Sequence, residues 1–132
     1  MRLREAIGAG VVAAGLSGAP SALAWAAGRL DALDATRRIG SAFLGRPTLV
    51  AGAAGHLAVS LVWALPAPLL ARSRAPLALG AAYGAAIYAL DFKLVASRRY
   101  PDLAELDSPI QLADHLAYGV TVVAAARRLA GR

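Results

Sequence analysis

Charge is what this chain lacks most. Of 132 residues only 22 are Asp, Glu, Lys or Arg, 17% against the roughly 25% usual in soluble domains. Cysteine is absent, which excludes disulfides, thiolate metal sites and cysteine nucleophiles. No Ser-His-Asp order, P-loop, HExxH or nucleotide fingerprint occurs, so nothing in the sequence points to an enzyme.

The missing charge is missing in blocks. None falls between Ala6 and Gly28, 23 residues, or between Pro47 and Ala71, 25 residues. Each gap is long enough for a bilayer, which takes about 20 apolar residues. Ala75–Leu90 and Ser108–Ala126 reach similar lengths when Asp91, Lys93 and Asp114 are admitted. The expected fold is all-α: one integral membrane four-helix bundle over residues 1–132, with spans at about 6–28, 47–70, 76–97 and 108–127. Four spans leave no room for a second domain.

What is present fits that frame. Alanine (34) and leucine (21) dominate, and the net charge is +6. In a soluble protein such a charge suggests nucleic acid, but here Arg sits at the ends of apolar runs rather than among aromatics, so no nucleic-acid partner is expected. Arg at span ends sets topology and meets lipid phosphates. Arg2 and Arg4 before an apolar run ending in Ala22-Leu23-Ala24 imitate a signal peptide, but the run continues to Ala27, beyond a usual h-region, and reads as a retained first helix. Counting Arg2, Arg4, Arg72, Arg74, Arg127, Arg128 and Arg132 against Arg29, Arg37, Arg38, Arg46, Lys93, Arg98 and Arg99 gives seven on each side. The tie leaves orientation to composition. The tails and the Arg72/Arg74 turn are Arg-only apart from Glu5, which favours a multi-pass inner-membrane protein with both termini cytoplasmic.

Helical spacing assigns faces. In the first span Gly10, Ala14, Ser17, Ser21 and Trp25 form a small or polar stripe, and Pro20 is expected to kink the helix. Residues 31–45 pattern as a short amphipathic helix in the interface, with Ala32, Ala35, Ile39, Ala42 and Phe43 opposite Asp31, Asp34, Arg38 and Ser41. The second span aligns Gly52, His56, Ser60, Trp63 and Ala67, with Pro66 and Pro68 loosening its end. In the third, Gly80 and Gly84 form a GxxxG pair continued by Tyr88 and Asp91, a face suited to close helix packing. The fourth opens with Ser108 as expected N-cap and carries Gln111, Asp114, Tyr118 and Thr121 on one stripe, with His115 beside it.

Ionisable groups inside a bilayer are candidates for function. His56 lies nine residues from Pro47, Asp91 six from Ser97, and Asp114 and His115 six and seven from Ser108. At the helical rise these depths are roughly 9 to 14 Å from one membrane face. His56, Asp91, Asp114 and His115 are therefore expected to form a polar intramembrane cluster, supported by Ser60, Tyr88, Gln111 and Tyr118, with Gly10, Gly52, Gly80 and Gly84 as helix-packing positions. The first reading is a structural or accessory protein whose polar groups pin helix register, without a cofactor, meeting lipid and either self-associating or joining a membrane complex. A small transporter or proton- or cation-conducting oligomer would use the same groups. A third reading places a b-type haem between His56 and His115, or a divalent metal among the two His and two Asp.

The runs His56-Leu57 and His115-Leu116-Ala117-Tyr118-Gly119, with a Gly/Ala-rich first helix and an amphipathic connector, give a layout that resembles small uncharacterised multi-pass (four-helix) bacterial inner-membrane proteins. That resemblance implies a location rather than an activity. Small multidrug-resistance exporters are similar in length and helix number, but their coupling carboxylate lies in the first helix, and here no acid falls between Glu5 and Asp31.

Overall fold

The computed structural model describes residues 3–131; Arg2 and Arg132, both counted above for topology, lie outside the described residues. Every regular element among them is helical. The first apolar run forms α1 (Leu3–Leu16) and α2 (Ala19–Ala26). They meet at a break rather than the expected kink at Pro20 itself. Pro20 has no N–H for the carbonyl of Leu16 and its ring crowds that carbonyl, so the helix parts one turn earlier, at Ser17–Gly18.

α3 (Ala32–Leu44) is the most amphipathic helix and has well-defined ends. Asp31 caps it by accepting from the N–H groups of Leu33 and Asp34 at 2.9 and 3.2 Å. It stops at Gly45, whose φ of 64° is in the left-handed region that favours glycine. The chain then turns by 71° into α4 (Leu49–Ala64). Thr48 caps α4 through its hydroxyl, which accepts from Ala51 N–H at 3.1 Å. The second span does not run unbroken to Leu70. Pro66 and Pro68 remove two amide donors, so α4 ends after 16 residues and a separate turn, α5 (Ala67–Leu70), follows.

The third run is continuous from Pro76 to Arg99 but changes its winding. α6 (Pro76–Ile87) passes into a π-helical segment, Tyr88–Ala96, and then one turn of α-helix, α7 (Ser97–Arg99). Nothing in the sequence periodicity announced the wider turns. α8 (Pro101–Ala104) lies in the expected polar loop. α9 (Ser108–Leu129) starts one residue earlier than read from sequence: Asp107, not Ser108, is the cap, and its carboxylate accepts from Ile110 N–H at 3.1 Å.

Two runs, Leu3–Ala26 and Pro76–Arg99, are long and apolar enough to cross a membrane, and a third if α3 and α4 are one bent unit. α9, expected to reach span length only with Asp114 admitted, is not among them. The reason is its position. α9 packs against α1, α2, α5, α6 and the π segment, and none of its residues from Ile110 to Arg127 is exposed. A helix enclosed by others can carry Gln111, Asp114 and His115 without presenting them to the surroundings.

The interior is built from small side chains. Ten of the seventeen buried apolar residues are alanines, whereas Leu, Ile, Val and Trp side chains such as Leu16, Leu23, Val50, Val62 and Leu69 are exposed. The helices consequently approach closely. A Cβ on Gly84 would lie 2.2 Å from the His115 carbonyl oxygen, and one on Gly80 2.7 Å from that of Gly119. Gly52 faces the Thr36 carbonyl at 1.9 Å in the same sense, and Gly10 faces the Ala64 methyl at 2.9 Å. Gly84→Ala must push α6 and α9 apart and is expected to lower stability by about 1–3 kcal/mol. Gly15→Ala, where nothing lies within 4 Å, should leave the thermal midpoint in detergent unchanged or raised. Equal midpoints for the two variants would refute the close α6–α9 approach.

Candidate functional site

The site is best built from the broken helices. At a helix C-terminus the last carbonyls lack intrahelical partners, and at an N-terminus the first N–H groups do. The break at Ser17–Gly18 creates both kinds of orphan in the middle of an apolar run. His56 on α4 serves one side: its Nε2–H donates to the carbonyl of Ala14, in the last turn of α1, at 3.1 Å. Because the partner is a carbonyl, Nε2 carries the proton. Asp114 on α9 serves the other side. One carboxylate oxygen accepts from the backbone N–H of Ser21, in the first turn of α2, at 3.0 Å, and the other from the Ser21 hydroxyl. A carboxylate at a helix N-terminus and an imidazole at a C-terminus also match the helix dipoles.

The second break repeats the pattern. The Tyr83 hydroxyl donates to the carbonyl of Trp63, in the last turn of α4, at 2.6 Å. The Trp63 indole N–H in turn donates to Asp91 at 2.6 Å, and the Trp63 and Tyr83 rings meet edge-on with centroids 6.4 Å apart. Asp91 stands in the π segment, so one indole joins the end of α4 to the wide turn of the third run.

The remaining predicted residues have separate partners. His115 Nδ1–H donates to the Gln111 carbonyl one turn back, at 2.6 Å, and the ring lies edge-on to Tyr88 at 5.7 Å. Tyr118, 6% exposed, donates its hydroxyl to the Ser60 carbonyl. Tyr88 and Lys93 both reach Ser108, Lys93 at 2.8 Å, and the Lys93 ammonium sits 5.6 Å from the Tyr88 ring centroid, within cation–π range. His56, Asp91, Asp114 and His115 thus occupy one region, but no hydrogen bond joins any two of them. His56, Asp91 and Asp114 are each committed to another element and His115 to a carbonyl of its own helix, and among the described residues no group of three or more His, Asp or Glu is placed to hold a metal ion.

Sequence reasoning put Ser21 on the correct stripe yet did not match it to Asp114. Trp63 was placed on the stripe with His56 and Ser60, without a partner. The usable signal was Gly18 and Pro20 together, since a break there implies orphaned backbone groups and hence a buried donor and acceptor nearby. Trp25, on the same stripe, is 51% exposed and takes no part.

Asp114→Ala leaves the Ser21 N–H unpaired and is expected to cost about 1–3 kcal/mol. Asp114→Asn keeps a carbonyl oxygen for that N–H and should lose less. Thermal unfolding in detergent ranks the three proteins; a wild-type midpoint for Asp114→Ala would rule out the cap. Comparison with protein-family models, with curated proteins and with solved structures finds no match to this chain.

Proposed function

We propose that the chain is a small polytopic membrane protein with a structural or accessory role, in which four helical runs cross the bilayer and intramembrane polar side chains hold broken helices in register. One observation carries this reading. Large apolar side chains cover the outside while alanine and glycine fill the inside, the arrangement expected where lipid rather than water is the solvent and packing rather than hydrophobicity drives association. In that setting an orphaned backbone group costs several kcal/mol, and His56, Tyr83 and Asp114 each satisfy one.

α9, too polar to face lipid, crosses as the central helix. α3 lies flat at the opposite surface from the termini, which are cytoplasmic in an inner membrane. The turn of 71° into α4 and the amphipathic face of α3 support that placement. Arg38 ties α3 down: it pairs with Asp34 at 2.8 Å, donates to the Asp102 carbonyl at 2.6 Å and reaches Glu105 at 3.3 Å.

The structural reading expects His56→Ala and Asp114→Ala to lower the thermal midpoint, and proteoliposomes of the wild type to show no proton or cation flux above empty vesicles. Flux that is abolished by Asp114→Asn with an unaltered midpoint would replace it with the transporter reading. Reporter fusions after Arg74 and at the C-terminus should both report the cytoplasm; two periplasmic signals would invert the orientation.

A further inference from the structure

The two ends of the bundle treat their positive charge differently. At the end bearing α3, Arg38 is engaged by Asp34 and Glu105, and Asp31, Asp102 and Asp107 lie in the same loops. At the other end Arg74, just before α6, and Arg127 and Arg128, in the last turn of α9, line one open cleft with Leu77, Ala78 and Ala124. No acidic side chain lines it, and among the described residues none of the three arginines makes an ion pair. Glu5, an acid near this end, is buried in α1 and outside the cleft.

Arg127 and Arg128 suit the negative end of the α9 dipole, but Arg74 does not suit its position. It stands at the N-terminus of α6, where the helix already presents positive charge. No side chain caps that end, and the first-turn residues Leu77 and Ala78 belong to the cleft wall. A cation set against a helix dipole beside two more, with no acid to offset them, marks a place for an external anion. The cleft has a volume of about 600 Å³, within the roughly 300–1,000 Å³ typical of small-molecule sites. Its walls are mostly aliphatic, with the three arginines as the polar part, and Leu77 is 53% exposed.

We propose that this cleft between α6 and α9 is a binding site for an anionic phospholipid, with Arg74, Arg127 and Arg128 on the headgroup phosphate and Leu77, Ala78 and Ala124 against the first acyl methylenes. This rests on the membrane reading above and adds a defined ligand class at a defined place. A free phosphate matches the arginines but leaves the aliphatic wall unused, which is why the lipid is favoured.

The full chain is reconstituted in nanodiscs of phosphatidylcholine with one-fifth phosphatidylglycerol, then released into detergent, and retained lipid is counted by native mass spectrometry. Wild-type protein should keep phosphatidylglycerol in preference to phosphatidylcholine. Each of Arg74→Gln, Arg127→Gln and Arg128→Gln should weaken retention about five-fold, and the triple variant on the order of 100-fold. Arg98→Gln at the opposite end should retain lipid as wild type does, and wild-type thermal midpoints for the Gln variants show that the fold is intact. Equal retention of the two lipids, or retention indifferent to the three arginines, overturns the site. Displacement of phosphatidylglycerol by millimolar inorganic phosphate assigns the cleft to free phosphate and overturns the lipid. A protein that fails to enter nanodiscs and stays soluble without detergent defeats the membrane reading itself, and the site with it.

Discussion

A backbone carbonyl or N–H that loses its helical partner in apolar surroundings must find another, and most polar placements in this molecule follow from that constraint. Two apolar runs are interrupted, one before Pro20 and one at Pro66 and Pro68. Each interruption frees backbone groups that the helix itself no longer pairs. The chain answers with side chains from other helices: an imidazole and a carboxylate at the first break, a phenol at the second. These contacts bridge 42, 93 and 20 positions in sequence, so the cost of breaking a helix is converted into a specification of which helices are neighbours. A straight, uninterrupted bundle of the same composition would pack through alanine alone and would have little to fix its register.

Close packing and enclosed polarity depend on each other here. Gly80, Gly84 and Gly119 bring α6 against α9 at backbone distance, and small residues along α1 do the same on the other side, where Ala9 and Ala13 are wholly buried. α9 is thereby surrounded and becomes the one helix that can hold a carboxylate, an imidazole and an amide. Were α6 and α9 held apart by larger side chains, the polar stripe of α9 would lose its cover. The exposed leucines and valines of α1, α4 and the third run are the other half of the same design, since the outer helices screen the central one.

Much of the layout is legible in sequence because it depends on composition and period. Charge gaps located the apolar runs, and the amphipathic pattern over 31–45 located α3, although Asp31, read as part of its polar face, is its cap. The depth arithmetic placed His56, Asp91, Asp114 and His115 in one region because helical rise is fixed. What failed to show is pairwise. Equal depth says nothing of azimuth, so the reading grouped those four with one another, when two of them face the break in the first helix and a third faces an indole on α4. The Asp107 cap was missed because Ser108 also fits an N-cap and only backbone angles decide between adjacent candidates. The π segment was missed because Tyr88–Ala96 has no proline or glycine to mark a change in winding.

The pattern of engagement bears on what the polar groups can do. A proton relay needs a group that can gain and lose its proton while its surroundings hold still. Asp114 accepts two hydrogen bonds from Ser21, one from the amide that opens α2. Both carboxylate oxygens are thus engaged by one residue of α2, which ties α2 to α9 across 93 positions of sequence. His56 is similarly held by its role as donor to Ala14, at the end of α1. Asp114 and His56 therefore have a structural task at the ends of α2 and α1. Side chains whose hydrogen bonds are consumed by the fold are suited to holding it, and in a chain so short of charge two of the groups admitted to its interior, His56 and Asp114, meet the backbone groups that its first broken helix frees.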